Sequence, residues 1–167
     1  MLRRLTVSVM LMLREVEGTD FGFWPTLKDW GIGLRYFAFF LPVGLALSAC
    51  LRLIHFKASW MSLARAPFWF LAALWFIALF EEFLARGLLQ RWISDWTGHP
   101  NFALLLASAL FGLSHLWYGH PFPNWRQAIL AASLGWFCGK AYQQAGGIRA
   151  SMVTHALAVT VYQTLLS

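Results

Sequence analysis

Charge is what this sequence has least of: Asp, Glu, Lys and Arg together make up 12% of its 167 residues, and only seven of those are acids. With 59% hydrophobic and 17% aromatic residues, the chain has too few polar side chains to cover a soluble fold. An ordinary soluble protein is thereby excluded, and an integral membrane protein is expected. Cysteine is nearly missing, with Cys50 and Cys138 the only two. Each lies in an apolar run, so both are expected as buried free thiols, and a disulfide framework is excluded. No zinc-finger or nucleic-acid motif is found. The net charge of +6 comes from basic residues standing singly between apolar runs, which suits membrane flanks and not a phosphate-tracking patch, so nucleic acid is not an expected partner. There is no low-complexity segment, no linker and no repeat, since the two Gly-His-Pro turns at Gly98 and Gly119 have unlike flanks. One domain is expected.

What the chain does have is a succession of apolar runs, and they predict an all-α integral membrane protein, a bundle of about five transmembrane helices. Residues 1–30 read as an N-terminal interfacial segment. Arg3 and Arg4 open it, and Leu2, Leu5, Val9, Met12 and Val16 share one helical face. Its apolar stretch is too short to span and no small-residue cleavage site follows, so an interfacial amphipathic helix is expected. Phe21, Phe23, Trp24 and Trp30 read as an aromatic belt. Residues 31–54 form the first span, with a kink at Pro42, and residues 67–166 form a four-helix core. Within it the spans run from Pro67 to Ile93, Asn101 to Trp117, Gln127 to Gln143 and Ile148 to Leu166, with Asn101 capping the second of these and Gly146-Gly147 breaking the chain before the last. Ala131, Gly135 and Gly139 recur every four residues, a pattern that lets helices approach closely. Counting Lys and Arg on each side of the five spans puts the N-terminus in the cytoplasm.

One stretch violates the apolar rule. Glu81, Glu82 and Arg86 sit in the middle of the Pro67 to Ile93 run, where each charge costs about 2.5–3.5 kcal/mol to insert. Such residues mark functional sites more often than not. Glu82 and Arg86, four apart with the acid first, are placed as an ion pair, and Glu81 is turned about 100° away by the helical period. That leaves Glu81 the less neutralised carboxylate, suited to taking and returning a proton. His115 and His155 lie on two further apolar runs. With a rise of about 1.5 Å per residue, the three groups lie roughly 10–21 Å from the same side, and ordinary tilts bring them to one level. A carboxylate and two imidazoles meeting in a cavity offer a base for water and donors for an oxyanion. The same trio matches a His, His, Glu zinc set, although no HExxH helix is present. A non-catalytic use, with the charges only bridging helices, is the remaining alternative.

These residues carry a resemblance. Glu-Glu-x-x-x-Arg at Glu81, Glu82 and Arg86, Phe-x-x-x-His at Phe111 and His115, and the later His155 fall in order on successive apolar runs. In this the chain resembles the CAAX protease and bacteriocin-processing (CPBP) intramembrane endopeptidases, which include the type II prenyl-protein peptidase. The resemblance implies a membrane protease in which Glu81 activates water, His115 and His155 orient that water and stabilise the oxyanion, and Glu82 and Arg86 shape the site. It implies a metal-free glutamic mechanism with no cofactor, zinc held by Glu81, His115 and His155 being the alternative. The partners it implies are the lipid bilayer and a protein or peptide substrate that is membrane-anchored or exported. A non-catalytic scaffold or immunity-type protein is the alternative function. The short chain looks like small bacterial members that process sorting tags or peptide precursors, which places it in the plasma membrane, a bacterial inner membrane. One position departs from the pattern: the family's final His-x-x-x-Asn/Asp reads His155 to Val159, which removes an oxyanion donor. Asn124 and Thr160 are candidate substitutes.

Overall fold

The structure is a computed structural model that describes residues 24–53, 59–119 and 121–166, and every regular element among them is helical. The interfacial helix expected near the N-terminus lies outside the described residues.

The first helix, α1, spans Leu27–Cys50. It starts within the segment expected to be interfacial because Thr26 and Asp29 form a capping box: Asp29 Oδ2 accepts from the Thr26 backbone N–H at 2.8 Å, and Thr26 Oγ1 accepts from the Asp29 N–H at 3.3 Å. The helix runs through Pro42 and stops four residues before the expected boundary at Ile54. Cys50, at its end, is exposed and not buried as expected, whereas Cys138 is fully buried. The half-buried Trp30 packs its ring against Phe70, with centroids 5.7 Å apart.

A short helix α2, Trp60–Ala64, leads into α3, Ala66–Thr97, where Pro67 occupies the first turn. Two π-helical segments, Ala73–Ala78 and Phe83–Gln90, flank the single α-turn Leu79–Glu82. Such widened turns cluster at functional sites because they re-aim side chains. Gly98, at φ +68°, ends α3 in the left-handed conformation that glycine adopts without cost. Helix α4, Pro100–Leu113, is capped at His99, with Pro100 at its first position, so Asn101 is not the cap. It also ends earlier than expected. His115 stands on the tight turns that follow, its backbone N–H donating to Gly112 O at 2.9 Å. Helix α5, Trp125–Ala145, is capped by Asn124 and ended by Gly146, and α6, Ile148–Val161, continues through a π-turn at Tyr162–Leu166.

Helix α6 lies at the centre, packed by α1, α5 and the first half of α3, with α4 against α5 and the second half of α3. Ile148, Met152, Val153 and Ala156 of α6 join Leu74, Ala78, Leu79 and Phe83 of α3 in the largest apolar cluster. Glycine sets the spacing on α1. A Cβ on Gly33 would stand 2.7 Å from Val153 Cβ and 2.8 Å from Ala150 O, so the two backbones nearly touch. Thr154 Oγ1 donates to Gly33 O at 3.0 Å, and Arg149 pairs with the buried Asp29 at 3.1 Å. These contacts fix the rotation of α6, and with it the direction of His155. Helices α1 and α3 are long and apolar enough to cross a membrane.

Candidate active site

The adjacent acids of α3 face different surroundings. Glu82 is fully buried: Oε2 accepts from Arg86 Nε at 3.1 Å and Oε1 accepts from His155 Nδ1 at 2.8 Å. Glu81 lies on the wall of a cavity of about 280 Å³ lined by α1, α3, α4, α5, α6 and the turn after α4. His115 and His155 line the same cavity, and their Nε2 atoms stand 3.9 and 3.8 Å from Glu81 Oε2. Those distances are too long for direct hydrogen bonds, yet they bring the carboxylate and both rings into close electrostatic contact.

Each imidazole is oriented by what its other nitrogen holds. His155 Nδ1 is engaged by Glu82, and His115 Nδ1 lies 2.8 Å from Phe111 O and 3.2 Å from Ser114 Oγ. With Nδ1–H as donor to an acceptor oxygen, Nε2 is left to face the cavity. Aromatic contacts complete the setting. Tyr118 stacks on His115 at 5.3 Å, and the Phe111 ring stands edge-on to His155 at 5.7 Å and carries the Arg86 guanidinium over its face at 5.5 Å. The five residues singled out in the sequence, Glu81, Glu82, Arg86, His115 and His155, thus form one continuous cluster.

The candidate oxyanion substitutes fare differently. Val159, which stands where the resemblance leads one to expect Asn or Asp, lines the cavity. Thr160 Oγ1 instead donates to Ala156 O at 2.7 Å, outside the cavity. Asn124 lines the cavity while its Nδ2 donates to Tyr118 O at 2.7 Å and its Oδ1 caps Gln127 N–H at 3.2 Å, which leaves one amide hydrogen for a ligand.

Sequence reasoning missed two buried neighbours. Gln90 accepts from Arg86 Nη1 at 3.3 Å, extending the Glu82, Arg86 ladder by another four residues, and that spacing is the signal that would have found it. Cys138 lies so that one donor atom each from Glu82, Cys138 and His155 come within 4.8 Å of one another. Nothing in its apolar surroundings announces this.

A carboxylate facing two imidazoles across a partly apolar cavity, inside an all-helical bundle, is the outline of a hydrolytic enzyme of the membrane-helix type. Residues 62–161 match the family model described as type II CAAX prenyl endopeptidase Rce1-like, and they make up more than half of the chain. The chain belongs to this family and is accordingly a protease of the CAAX type. Comparison with curated proteins and with solved structures gives no match.

Proposed function

We propose that the protein is an intramembrane glutamic-type endopeptidase that hydrolyses a peptide bond in a membrane-anchored or exported protein or peptide. One observation carries the reading: Glu81 Oε2 faces both imidazole Nε2 atoms at 3.8 and 3.9 Å on the wall of a cavity. A water held in the cavity against the Glu81 carboxylate gives a proton to Glu81 as its oxygen attacks the substrate carbonyl carbon. Glu81 then delivers that proton to the amide nitrogen as the C–N bond breaks, so the carboxylate is regenerated. The histidines orient the water through Nε2 when neutral, and a ring that carries a second proton donates from Nε2 to the oxyanion. Glu82 and Arg86 hold His155 in place.

Membrane embedding is supported by the outer surface of α1, α3, α4 and α5. Phe39 and Leu45 of α1, Phe68 and Phe76 of α3, Leu105 of α4 and Ile129 of α5 are exposed, a distribution that suits lipid and not water. On this reading the Lys and Arg asymmetry of the sequence favours a cytoplasmic N-terminus, in a plasma membrane that is a bacterial inner membrane.

A second reading has its own support. In both histidines Nδ1 is engaged by an oxygen, the arrangement that orients imidazole ligands around zinc. Glu81, His115 and His155 are therefore suited to hold that ion, which would polarise the carbonyl and acidify a bound water. Purified protein in vesicles, offered a broad panel of membrane-tethered peptides, tests the first reading. Wild type is expected to cleave where Glu81→Gln does not; equal behaviour of the two across the panel favours the scaffold or immunity-type alternative. One equivalent of metal, lost together with activity in Glu81→Gln, favours zinc.

A further inference from the structure

We propose that Gln90 is a positioning residue of the active site, acting on His155 through Arg86 and Glu82. The inference rests on the assignment of Glu81 and His155 to the reaction. A guanidinium is a rigid fork of donors, so its aim is set by more than one bond. Arg86 Nε donates to Glu82 Oε2 at 3.1 Å, and the fork is kept from turning because Nη1 donates to Gln90 Oε1 at 3.3 Å. The Gln90 amide is itself oriented, its Nε2 donating to Gly139 O on α5 at 3.5 Å. This bond decides which end of the amide meets the cation. From the α5 backbone to Nδ1 of His155 the chain is unbroken: Gly139, Gln90, Arg86, Glu82, His155. Gln90, Arg86 and Glu82 are 2%, 0% and 0% exposed, so water does not compete for these bonds.

The α5 surface is shaped to admit this relay. A Cβ on Gly139 would lie 2.8 Å from Gln90 Oε1, and a Cβ on Gly135 would lie 3.2 Å from Arg86 Nη2. The four-residue spacing of small residues on α5 thus makes room for side chains crossing from α3, and not only for the approach of another helix. Without its anchor at Gln90, Arg86 follows Glu82 instead of fixing it, and the Glu82 carboxylate is free to rotate away from His155.

The test compares Gln90→Met, which keeps the volume and removes the acceptor, with Gln90→Glu, which restores an acceptor oxygen at the same reach. Two readouts are taken on the full chain in vesicles: the imidazole ¹⁵N and Nδ1–H resonances of His155 without substrate, and kcat and KM on membrane-tethered fluorogenic peptides that wild type cleaves. Gln90→Met is expected to lose the hydrogen-bonded Nδ1–H signal and to lower kcat on the order of tenfold at unchanged KM, with Gln90→Glu restoring both. A wild-type His155 spectrum and wild-type kcat in Gln90→Met would overturn the proposal. If Gln90→Met does not fold, Gln90→Asn, too short to reach Arg86, is held to the same two criteria. Should no peptide be cleaved even by wild type, the protease reading fails separately, because the spectrum still decides the role of Gln90.

Discussion

The buried pair Glu82–Arg86 is open to a quantitative test. Both side chains are fully buried, and His155 is the second partner of Glu82, at 2.8 Å. Arg86→Met therefore strands a carboxylate with half of its hydrogen bonding gone, and the expected loss of stability is about 3–5 kcal/mol, the range for breaking a buried pair from one side. Glu82→Gln strands the guanidinium and carries a similar penalty. Summed, the two would remove most of the roughly 5–15 kcal/mol that holds a domain folded. The double variant Glu82→Gln/Arg86→Met leaves no buried charge behind, and the new amide oxygen can still accept from His155 Nδ1–H. It should be more stable than Arg86→Met alone by at least about 2 kcal/mol; with Glu82→Gln itself costing about 3–5 kcal/mol, the coupling is then at least about 5 kcal/mol, above the roughly 0.5–3 kcal/mol usual for contacting residues. Unfolding by denaturant in bicelles, followed by fluorescence of the ten tryptophans, gives the four corners of the cycle. The exposed pair Arg91–Asp95, at 3.6 Å with side chains 38% and 70% exposed, is the internal control, and Asp95→Asn should cost less than about 1 kcal/mol. A double variant at the sum of the singles, or an Arg86→Met loss no larger than the control's, would refute the claim that this pair is held together against the cost of burial.

Glu81→Gln should lower peptide cleavage by about 10²–10⁴-fold while the protein still folds; steady-state rates and denaturant melts check both halves. Val159→Asn, on the cavity wall where the family carries a donor, should raise kcat by up to about 10²-fold, read on the same peptides. Gly139→Ala should cost about 1–3 kcal/mol because the new methyl meets Leu104 and Gln90, whereas Gly31→Ala, with nothing within 4 Å, should stabilise α1 by about 0.5–1 kcal/mol. On the metal-free reading, a chelator leaves cleavage unchanged and elemental analysis finds no stoichiometric metal in active protein.

Helix positions were legible because the chain punctuates them with residues whose backbone demands are local. Pro67 opens α3, and Gly146 closes α5 at positive φ. Helix ends depending on side-chain reciprocity were harder to place. The Thr26–Asp29 capping box starts α1 inside a stretch that composition assigns to the interface, and apolarity carries a reading of α4 past Leu113 into the turns that hold His115. Inward and outward aromatic residues were equally hard to tell apart, since Trp24 is exposed while Trp30 packs on Phe70, and hydropathy scores them alike.

The charged residues of the site stood out because burying charge is costly, so three ionisable groups in an apolar run need a physical reason to be there. Their division of labour followed from spacing only in part. The offset of i and i+1 puts Glu81 and Glu82 on different faces, but what each face meets is decided elsewhere: by the Gly33 approach that sets the rotation of α6, and by the glycine surface of α5 that lets Arg86 and Gln90 lie flat beneath Glu82. A glycine in an apolar run contributes no charge and little hydropathy, so a composition reading treats it as a means of helix contact. Its actual consequence here is polar. Where α5 lacks a side chain, α3 can place a buried guanidinium, and that cation neutralises Glu82 enough for it to orient His155 while Glu81, one residue earlier, is left facing the cavity.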